Sequence, residues 1–295
     1  MKRIYLLISV LLLLIASLPV IVPYVYLSGE REFQEISIQG EGFQLHGVIS
    51  EGLDPRGPWI ILVHGNRKSG QDHALYENIR ENLPADFSIL AIDLRGFGDS
   101  TGEGDNQFPE SINRIADLKT AGNFLSDKYG IQTNQIMLIG HSFGAAQVLH
   151  AAQDEAYMLV VPVGLGDWDA LLDSDSSIEG YQQKFEANTG IKVDKSELIM
   201  NARNFSVASL FKDCPESPVW FVYAGQDDAI PVHREPFNSL SDICPGMVHW
   251  REIPFSDHMY GTEMERLPEL LRGIYSRLSQ SLLIFNLNQI LNSTR

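Results

Sequence analysis

Residues 136–144 read Ile-Met-Leu-Ile-Gly-His-Ser-Phe-Gly, and this stretch decides how the rest of the chain is interpreted. Four apolar residues predict a buried strand, which runs directly into Gly140, Ser142 and Gly144 in the spacing G-x-S-x-G. Small and apolar residues then predict a helix: Ala145, Ala146, Leu149, Ala151 and Ala152. A strand and a helix joined in this way form a sharp turn that exposes the serine hydroxyl, and the glycines avoid side-chain collisions around it. Ser142 is therefore the candidate nucleophile.

Composition limits what the chain can do. It has 295 residues, of which 44% are hydrophobic, and this is enough for one large core. The formal net charge is −16. A surface this negative repels phosphate groups, so the composition argues against a nucleic acid partner. Nothing in the sequence sets the oligomeric state.

The amino terminus differs from the rest of the chain. Lys2 and Arg3 precede an uncharged, mostly apolar run from Ile4 to Leu27. A run of this length predicts an N-terminal transmembrane helix, a membrane anchor over residues 1–28 that is followed by a single domain over 30–295. The positive residues predict that the amino end stays in the cytoplasm and that the domain lies outside it, on the periplasmic or extracellular side. A cleaved signal peptide is the alternative, and it exports the domain as well.

The two cysteines occupy similar positions. Cys214 and Cys244 are each followed by proline and then by a predicted strand, over 219–224 and 248–254. If these strands are parallel neighbours, both cysteines lie at the same edge of the sheet, where a disulfide could close and persist in an oxidising compartment. Two separate thiols are the alternative.

Strand and helix patterns alternate along most of the chain. Residues 33–39 and 43–50 predict an antiparallel hairpin. Further strands are predicted over 59–63, 87–94, 136–139, 157–163, 219–224 and 248–254, with helices over 73–83 and 111–129 and a last helix beginning near Glu263. This order predicts an α/β fold, a mostly parallel sheet with helices on both faces.

One connection is much longer than the others. About fifty residues separate the strand that ends near Gly164 from the one that starts near Val219. Most connections are only a few residues long, so this segment predicts a small helical cap over about 166–214. Its aromatic residues either line an apolar pocket or form the cap's own core; they include Trp168, Tyr181, Phe185, Phe205 and Phe211.

Four stretches make the chain resemble the α/β-hydrolase family, over about residues 33–280. They are Leu62–Gly65, Asp93–Ser100, Gly140–Gly144, and Gly225–Pro231 with Asp257-His258. In that order they are similar to the family's oxyanion loop, the loop after the next strand, the nucleophile turn, and the acid and histidine positions. The order serine, aspartate, histidine is also the family's own.

The chemistry of the candidate residues agrees with this resemblance. A serine hydroxyl needs a neighbouring base, and an imidazole in turn needs a carboxylate that orients it. His258 follows the last predicted strand. Ligands of parallel sheets bind beyond the carboxyl ends of the strands, so His258 is in a position to act on a ligand. Counting from Gly225 favours Asp228 as the carboxylate, whereas counting back from Pro231 gives Asp227 as the alternative.

The resemblance also implies an oxyanion hole. Its donors are the backbone N–H groups of Asn66, in the first loop, and Phe143, directly after the nucleophile. Arg67 and Lys68 follow Asn66. These two cations either attract an anionic part of the substrate or belong to a solvated loop.

Together these features predict a serine hydrolase of the carboxylesterase or lipase type. It would cleave carboxylic esters of small molecules through an acyl-enzyme, with amides and thioesters left open, and no metal or organic cofactor is implied. A dinucleotide site is excluded because Gly96-x-Gly98 leads into an acidic turn and not into a helix. The remaining alternative is a catalytically silent, membrane-anchored binding module of the same fold.

Overall fold

The computed structural model describes residues 31–83, 85, 87–102, 114–166, 168–190, 192–206, 214–227, 241–242, 244–260, 266, 269–271 and 273–274. The predicted transmembrane helix over 1–28 lies outside these residues, and so does Glu263, the predicted start of the last helix. Among the helices that the structure describes, none is both long enough and apolar enough to span a bilayer.

The described strands form one sheet. In chain order they are β1 (Gln34–Gln39), β2 (Phe43–Ser50), β3 (Trp59–Val63), β4 (Ser88–Ile92), β5 (Thr101–Gly102), β6 (Ile136–His141), β7 (Leu159–Val163), β8 (Val219–Ala224) and β9 (Val248–Ile253). Their order in space is β1-β2-β4-β3-β6-β7-β8-β9, and β5 pairs with β2. The strands from β4 to β9 along this order are parallel, while β2 is antiparallel to its neighbours. The predicted hairpin and the mostly parallel sheet are confirmed.

The helices lie close to their predicted positions. They are α1 (Ala74–Asn82), α2 (Ile115–Tyr129), α3 (Phe143–Ala151), α4 (Trp168–Leu171), α5 (Asp175–Thr189) and α6 (Lys195–Phe205), with short 3-10 turns at Gly70–Asp72 and Thr133–Gln135. Helix α1 begins one residue later than predicted because His73 caps it. The imidazole of His73 accepts a hydrogen bond from the N–H of Leu75.

Apolar side chains cover both faces of the sheet. Strand β3 shows the alternation, since Trp59, Ile61 and Val63 belong to one buried cluster and Ile60 and Leu62 to another. Helices α2 and α3 pack in the first cluster. Helix α1 and the helical residues Leu271 and Ile274 pack in the second. The predicted arrangement of helices on both faces is confirmed, and it holds the carboxyl ends of the strands in fixed positions.

Three helices, α4, α5 and α6, lie between β7 and β8. Their large aromatic side chains are buried against one another and against the helix that follows Ser142. The ring centroids of Trp168 and Phe205 are 5.4 Å apart, and those of Phe143 and Phe185 are 5.8 Å apart. Phe185 and Phe205 are fully buried. These contacts favour the view that the aromatic residues form a core of their own.

The two cysteines are joined in a disulfide, as predicted. The Cα atoms of Cys214 and Cys244 are 5.5 Å apart. Each cysteine precedes one of two adjacent parallel strands, β8 and β9, whose first residues Val219 and Val248 are paired. The bridge therefore lies at the amino end of the sheet, opposite the edge at which the candidate site lies.

Candidate active site

Ser142 lies at the turn between β6 and α3. Its backbone has a φ of 52° and a ψ of −112°, a conformation that non-glycine residues rarely adopt. The backbone N–H of Ser142 donates to the carbonyl of Val163 over 2.8 Å. A side chain at Gly140 would overlap the backbone of Gly144, and one at Gly144 would overlap the carbonyl oxygens that end β3. The glycines therefore allow the close packing that forces the serine into this turn.

Three side chains from distant parts of the chain meet at the carboxyl end of the sheet. The Oγ of Ser142 lies 2.9 Å from Nε2 of His258. The Nδ1 of His258 lies 2.7 Å from Oδ2 of Asp227. The carboxylate of Asp227 accepts the Nδ1 proton, which leaves Nε2 free to accept the serine proton. The geometry is that of a nucleophile, a general base and an orienting acid.

The structure places the alternative candidate for the acid beside His258. Asp227, the sequence alternative, makes the contact with His258, and only 1% of its side chain is exposed. Asp228, the preferred candidate, lies outside the described residues. The backbone N–H of Gly225 donates to Ile253, and that of Gln226 donates to Ser256. These bonds fasten the turn after β8 to the segment that carries His258, and they place residue 227 beside the imidazole.

The two proposed oxyanion donors belong to two elements that meet at the nucleophile. Asn66 is on the loop after β3, and Phe143 is the first residue of α3. The N–H of Phe143 is one of the four in the first helical turn that have no partner within the helix. A Cβ built on Gly65, next to Asn66, would lie 3.1 Å from the Cβ of Ser142. The loop backbone therefore passes directly beside the serine, as the resemblance implies.

A buried carboxylate holds this loop to its neighbour. Asp93 accepts a hydrogen bond of 2.6 Å from the N–H of Gln71, and its other oxygen lies 3.0 Å from Nδ1 of His46. Side chains at Gly70 or Gly98 would collide with this carboxylate, and both glycines have positive φ angles. The loops after β3 and after β4 are thus packed around one aspartate.

Sequence reasoning treated His141 only as the spacer before Ser142, and it missed Tyr76. The hydroxyl of Tyr76 lies 2.6 Å from the N–H of Gly65 and 2.9 Å from Nδ1 of His141. The Nε2 of His141 lies 2.8 Å from the carbonyl oxygen of His258. Burial, and then the neighbouring His258, lower the pKa of His141 to about 3. No spacing signal marks Tyr76, because its partners are distant in sequence.

The family follows from a comparison with known proteins. Residues 60–282 match the model of the alpha/beta hydrolase family. The chain belongs to the alpha/beta hydrolase family. The match begins within β3 and covers the later strands, the nucleophile turn and the histidine of this hydrolase.

Several known proteins are similar to parts of this α/β-hydrolase. Human protein phosphatase methylesterase 1 is 32% identical over 137 residues, which are 46% of this chain and 33% of that protein. A 2-hydroxy-6-oxo-6-(2'-aminophenyl)hexa-2,4-dienoic acid hydrolase from Metapseudomonas resinovorans is 26% identical over 172 residues, 53% of this chain and 56% of that protein. The chain thus matches less than two thirds of the length of either relative.

A solved structure shares the fold over most of the chain. The structure of Est1E from Butyrivibrio proteoclasticus with ferulic acid bound has a TM-score of 0.62 and 19% sequence identity. It covers 83% of this chain and 99% of its own. At 19% identity, the likeness shows only that the two proteins share a fold.

Proposed function

We propose that this α/β-hydrolase is a serine hydrolase that cleaves carboxylic esters of small molecules through an acyl-enzyme. The observation that carries the proposal is the continuous contact from Asp227 through His258 to Ser142, at 2.7 and 2.9 Å. Both distances lie within reach for proton transfer. The names of two similar proteins, a methylesterase and a hydrolase, support the reaction class.

In the first half of the reaction, the Oγ of Ser142 attacks the ester carbonyl carbon while its proton passes to Nε2 of His258. The carbonyl oxygen becomes an oxyanion, which accepts hydrogen bonds from the N–H groups of Asn66 and Phe143. Asp227 stabilises the positive imidazolium of His258 and stays ionised itself. When the tetrahedral intermediate collapses, the C–O bond to the alcohol breaks, and His258 returns the proton to the leaving oxygen.

In the second half, water replaces the alcohol. His258 takes a proton from this water, whose oxygen attacks the acyl carbon. Collapse of the second tetrahedral intermediate releases the acid and restores the proton to Ser142. Water is the only other reactant: its oxygen and one proton end in the acid, and its second proton replaces the serine proton that left with the alcohol.

Labelling with a fluorophosphonate tests the proposal and separates it from a silent binding module. We expect the reagent to attach to Ser142 with loss of fluoride, because the same base activates the serine toward phosphorus. The Ser142→Ala variant should stay unlabelled while it remains folded. An unlabelled wild-type protein would exclude the hydrolase and favour the binding module.

A series of p-nitrophenyl esters with acyl chains of increasing length tests the ester preference and the substrate class. Release of p-nitrophenol by the wild-type protein, and its loss in Ser142→Ala, would support ester cleavage. If the wild-type protein is labelled but hydrolyses only amides or thioesters, the choice of esters is wrong and the serine mechanism stands.

We also propose that the domain is exported and tethered by residues 1–28. The uncharged run in that segment supports this, and the disulfide is of the kind that persists in oxidising compartments. Membrane fractionation with and without residues 1–28 tests the anchor. Recovery of the full chain in the soluble cytoplasmic fraction would contradict it.

A further inference from the structure

Tyr76 and His141 form a buried bridge between two parts of the candidate site. At one end, the N–H of Gly65 contacts the hydroxyl of Tyr76 at 2.6 Å. In the middle, this hydroxyl contacts Nδ1 of His141 at 2.9 Å. At the other end, Nε2 of His141 contacts the carbonyl oxygen of His258 at 2.8 Å. The side chain of Tyr76 is fully buried, and His141 is 2% exposed.

The protons in this bridge have one consistent arrangement. A backbone N–H can only donate, so the hydroxyl oxygen of Tyr76 accepts from Gly65. A carbonyl can only accept, so Nε2 of His141 carries a proton and donates it to His258. A neutral imidazole then has a bare Nδ1, which accepts the hydroxyl proton of Tyr76. Burial keeps His141 neutral by lowering its pKa to about 3, so this arrangement persists throughout the neutral range.

Each end of the bridge is attached to the backbone of a reacting group. Gly65 precedes Asn66, a proposed oxyanion donor, and the His258 carbonyl belongs to the proposed base. His141 itself precedes Ser142. The bridge is also packed on its sides, since the ring of His141 lies 5.0 Å from that of His258 and 6.0 Å from that of Tyr260.

We propose that Tyr76 and His141 are positioning residues that set the oxyanion loop and the catalytic histidine in register with Ser142. The inference rests on the proposed serine hydrolase, because it assigns a role in that reaction. The hydrogen bonds of the bridge reach Gly65 and the carbonyl oxygen of His258, and not the hydroxyl of Ser142. Tyr76 and His141 therefore act through Gly65 and through the main chain of His258. A displacement of about 1 Å at such supports is enough to slow a reaction by about 100-fold.

Three single variants separate the two ends of the bridge. Tyr76→Phe removes the hydroxyl that links Gly65 to His141. His141→Gln can keep a donor near the position of Nε2 and so preserve the contact with His258. His141→Phe keeps a ring but loses both contacts, so the glutamine variant serves as the conservative rescue.

The readout is kcat and KM with a p-nitrophenyl ester, together with the rate of fluorophosphonate labelling on folded protein. We expect Tyr76→Phe and His141→Phe to lower kcat about 10- to 100-fold with KM within about twofold of the wild type. The substitutions raise the activation barrier of the reaction but leave the binding of the ester unchanged. His141→Gln should have a kcat between that of His141→Phe and that of the wild type. A purely structural role would change the melting temperature and leave kcat of the folded protein unaltered.

The double variant Tyr76→Phe/His141→Phe tests whether the two residues act as one unit. If they do, its kcat should be close to that of the slower single variant, because either single substitution already interrupts the hydrogen-bonded bridge. A kcat equal to the product of the two separate effects would overturn the inference. Equal kcat in the wild type and in the folded single variants would overturn it too.

Labelling at Ser142 distinguishes a failure of the proposed function from a failure of the positioning role. If the wild-type protein is not labelled at Ser142, the proposed function fails first. If it is labelled and the bridge variants are labelled at the same rate, only the bridge fails. Should Tyr76→Phe not fold, the comparison of His141→Phe with His141→Gln and the wild type still decides the matter.

Discussion

Ser142 carries a backbone conformation that costs about 1–3 kcal/mol in a non-glycine residue. Its φ of 52° persists because the surrounding sheet holds it. The N–H of Ser142 donates to Val163 over 2.8 Å, and the carbonyl of Ser142 accepts from Ala145 over 3.0 Å. The hydroxyl is therefore already aimed at His258 before any substrate arrives, and little reorganisation is needed during the reaction.

The identity of the acid can be tested with two matched variants. Asp227→Asn keeps the size of the side chain but removes the charge that orients His258 and stabilises its positive form. We expect kcat to fall by about 10⁴-fold. Asp228→Asn is the control and should retain most of the activity. The reverse result, a large loss only in Asp228→Asn, would restore the original sequence preference.

The pH dependence of stability should reveal the buried, neutral His141. Its pKa is lowered to about 3 in the folded protein, whereas the ordinary value is 6.5. Below pH 6.5 the unfolded chain therefore binds a proton that the folded chain does not, so the free energy of unfolding falls as the pH drops toward 3. Between pH 7 and pH 5 this one residue should cost about 2 kcal/mol.

Urea unfolding at both pH values, in the wild type and in His141→Gln, measures this difference. The variant lacks the titrating group, so its stability should depend less on pH by about that amount. The other ionisable groups are common to both proteins and largely cancel. Identical pH dependence in the two proteins would show that His141 is not held neutral by burial.

At the scale of elements, the strand–turn–helix around Ser142 depends on main-chain contact. Strand β6 lies between β3 and β7, with Val63 beside Gly140 and His141 beside Val163. Helix α3 approaches so closely that a Cβ at Gly144 would overlap the carbonyl oxygens of Val63 and His64. The element could be predicted from sequence because the glycines, the apolar run and the small helical residues all indicate the same local structure.

Two glycine substitutions should have opposite effects on stability. In Gly144→Ala, the new Cβ overlaps the carbonyl oxygens of Val63 and His64, and we expect a loss of about 1–3 kcal/mol. Gly122→Ala is the matched control, because a Cβ there meets nothing within 4 Å in the middle of α2. It should raise stability by about 0.5–1 kcal/mol, since alanine favours helix more than glycine does.

Urea denaturation of both variants measures these changes. A wild-type midpoint for Gly144→Ala would mean that α3 is less closely packed on β3 than the structure shows. Loss of stability in Gly122→Ala would mean that helix propensity does not decide the outcome at that position.

Loop contacts were much harder to predict than elements. The choice between Asp227 and Asp228 depends on two backbone bonds, from Gly225 to Ile253 and from Gln226 to Ser256. Such bonds join segments that are distant in sequence, and neither residue type nor periodicity encodes their register. Tyr76 was missed for the same reason, because an ordinary helical tyrosine gives no sign of the loop that it supports.

At the scale of the whole molecule, the disulfide and the candidate active site lie at opposite ends of the strands. The disulfide between Cys214 and Cys244 lies at the amino ends of β8 and β9, whereas Asp227 and His258 follow the carboxyl ends of the same strands. The fold class and the mostly parallel sheet were predictable because strands and helices alternate along the chain. The cysteine pairing was predictable because both residues precede neighbouring parallel strands.

Removal of the disulfide should therefore lower stability and spare activity. The bridged cysteines are 30 residues apart, and closing a loop of this size stabilises a protein by about 3–4 kcal/mol in the chain-entropy model. We expect Cys214→Ser/Cys244→Ser to unfold at lower urea but to keep kcat at low temperature. Two free thiols in the untreated wild-type protein, measured with and without reductant, would contradict the pairing.

The aspartate between the loops after β3 and β4 has a practical consequence for changing what this hydrolase accepts. Asp93 contacts Gln71 and His46, and its carboxylate fills the space left by Gly70 and Gly98. Replacing one of these loops alone would leave the buried carboxylate without some of its partners. Both loops must therefore be exchanged together, along with Asp93. Libraries aimed at new specificity are better directed at the exposed positions of the helices between β7 and β8, which leave that shared support unchanged.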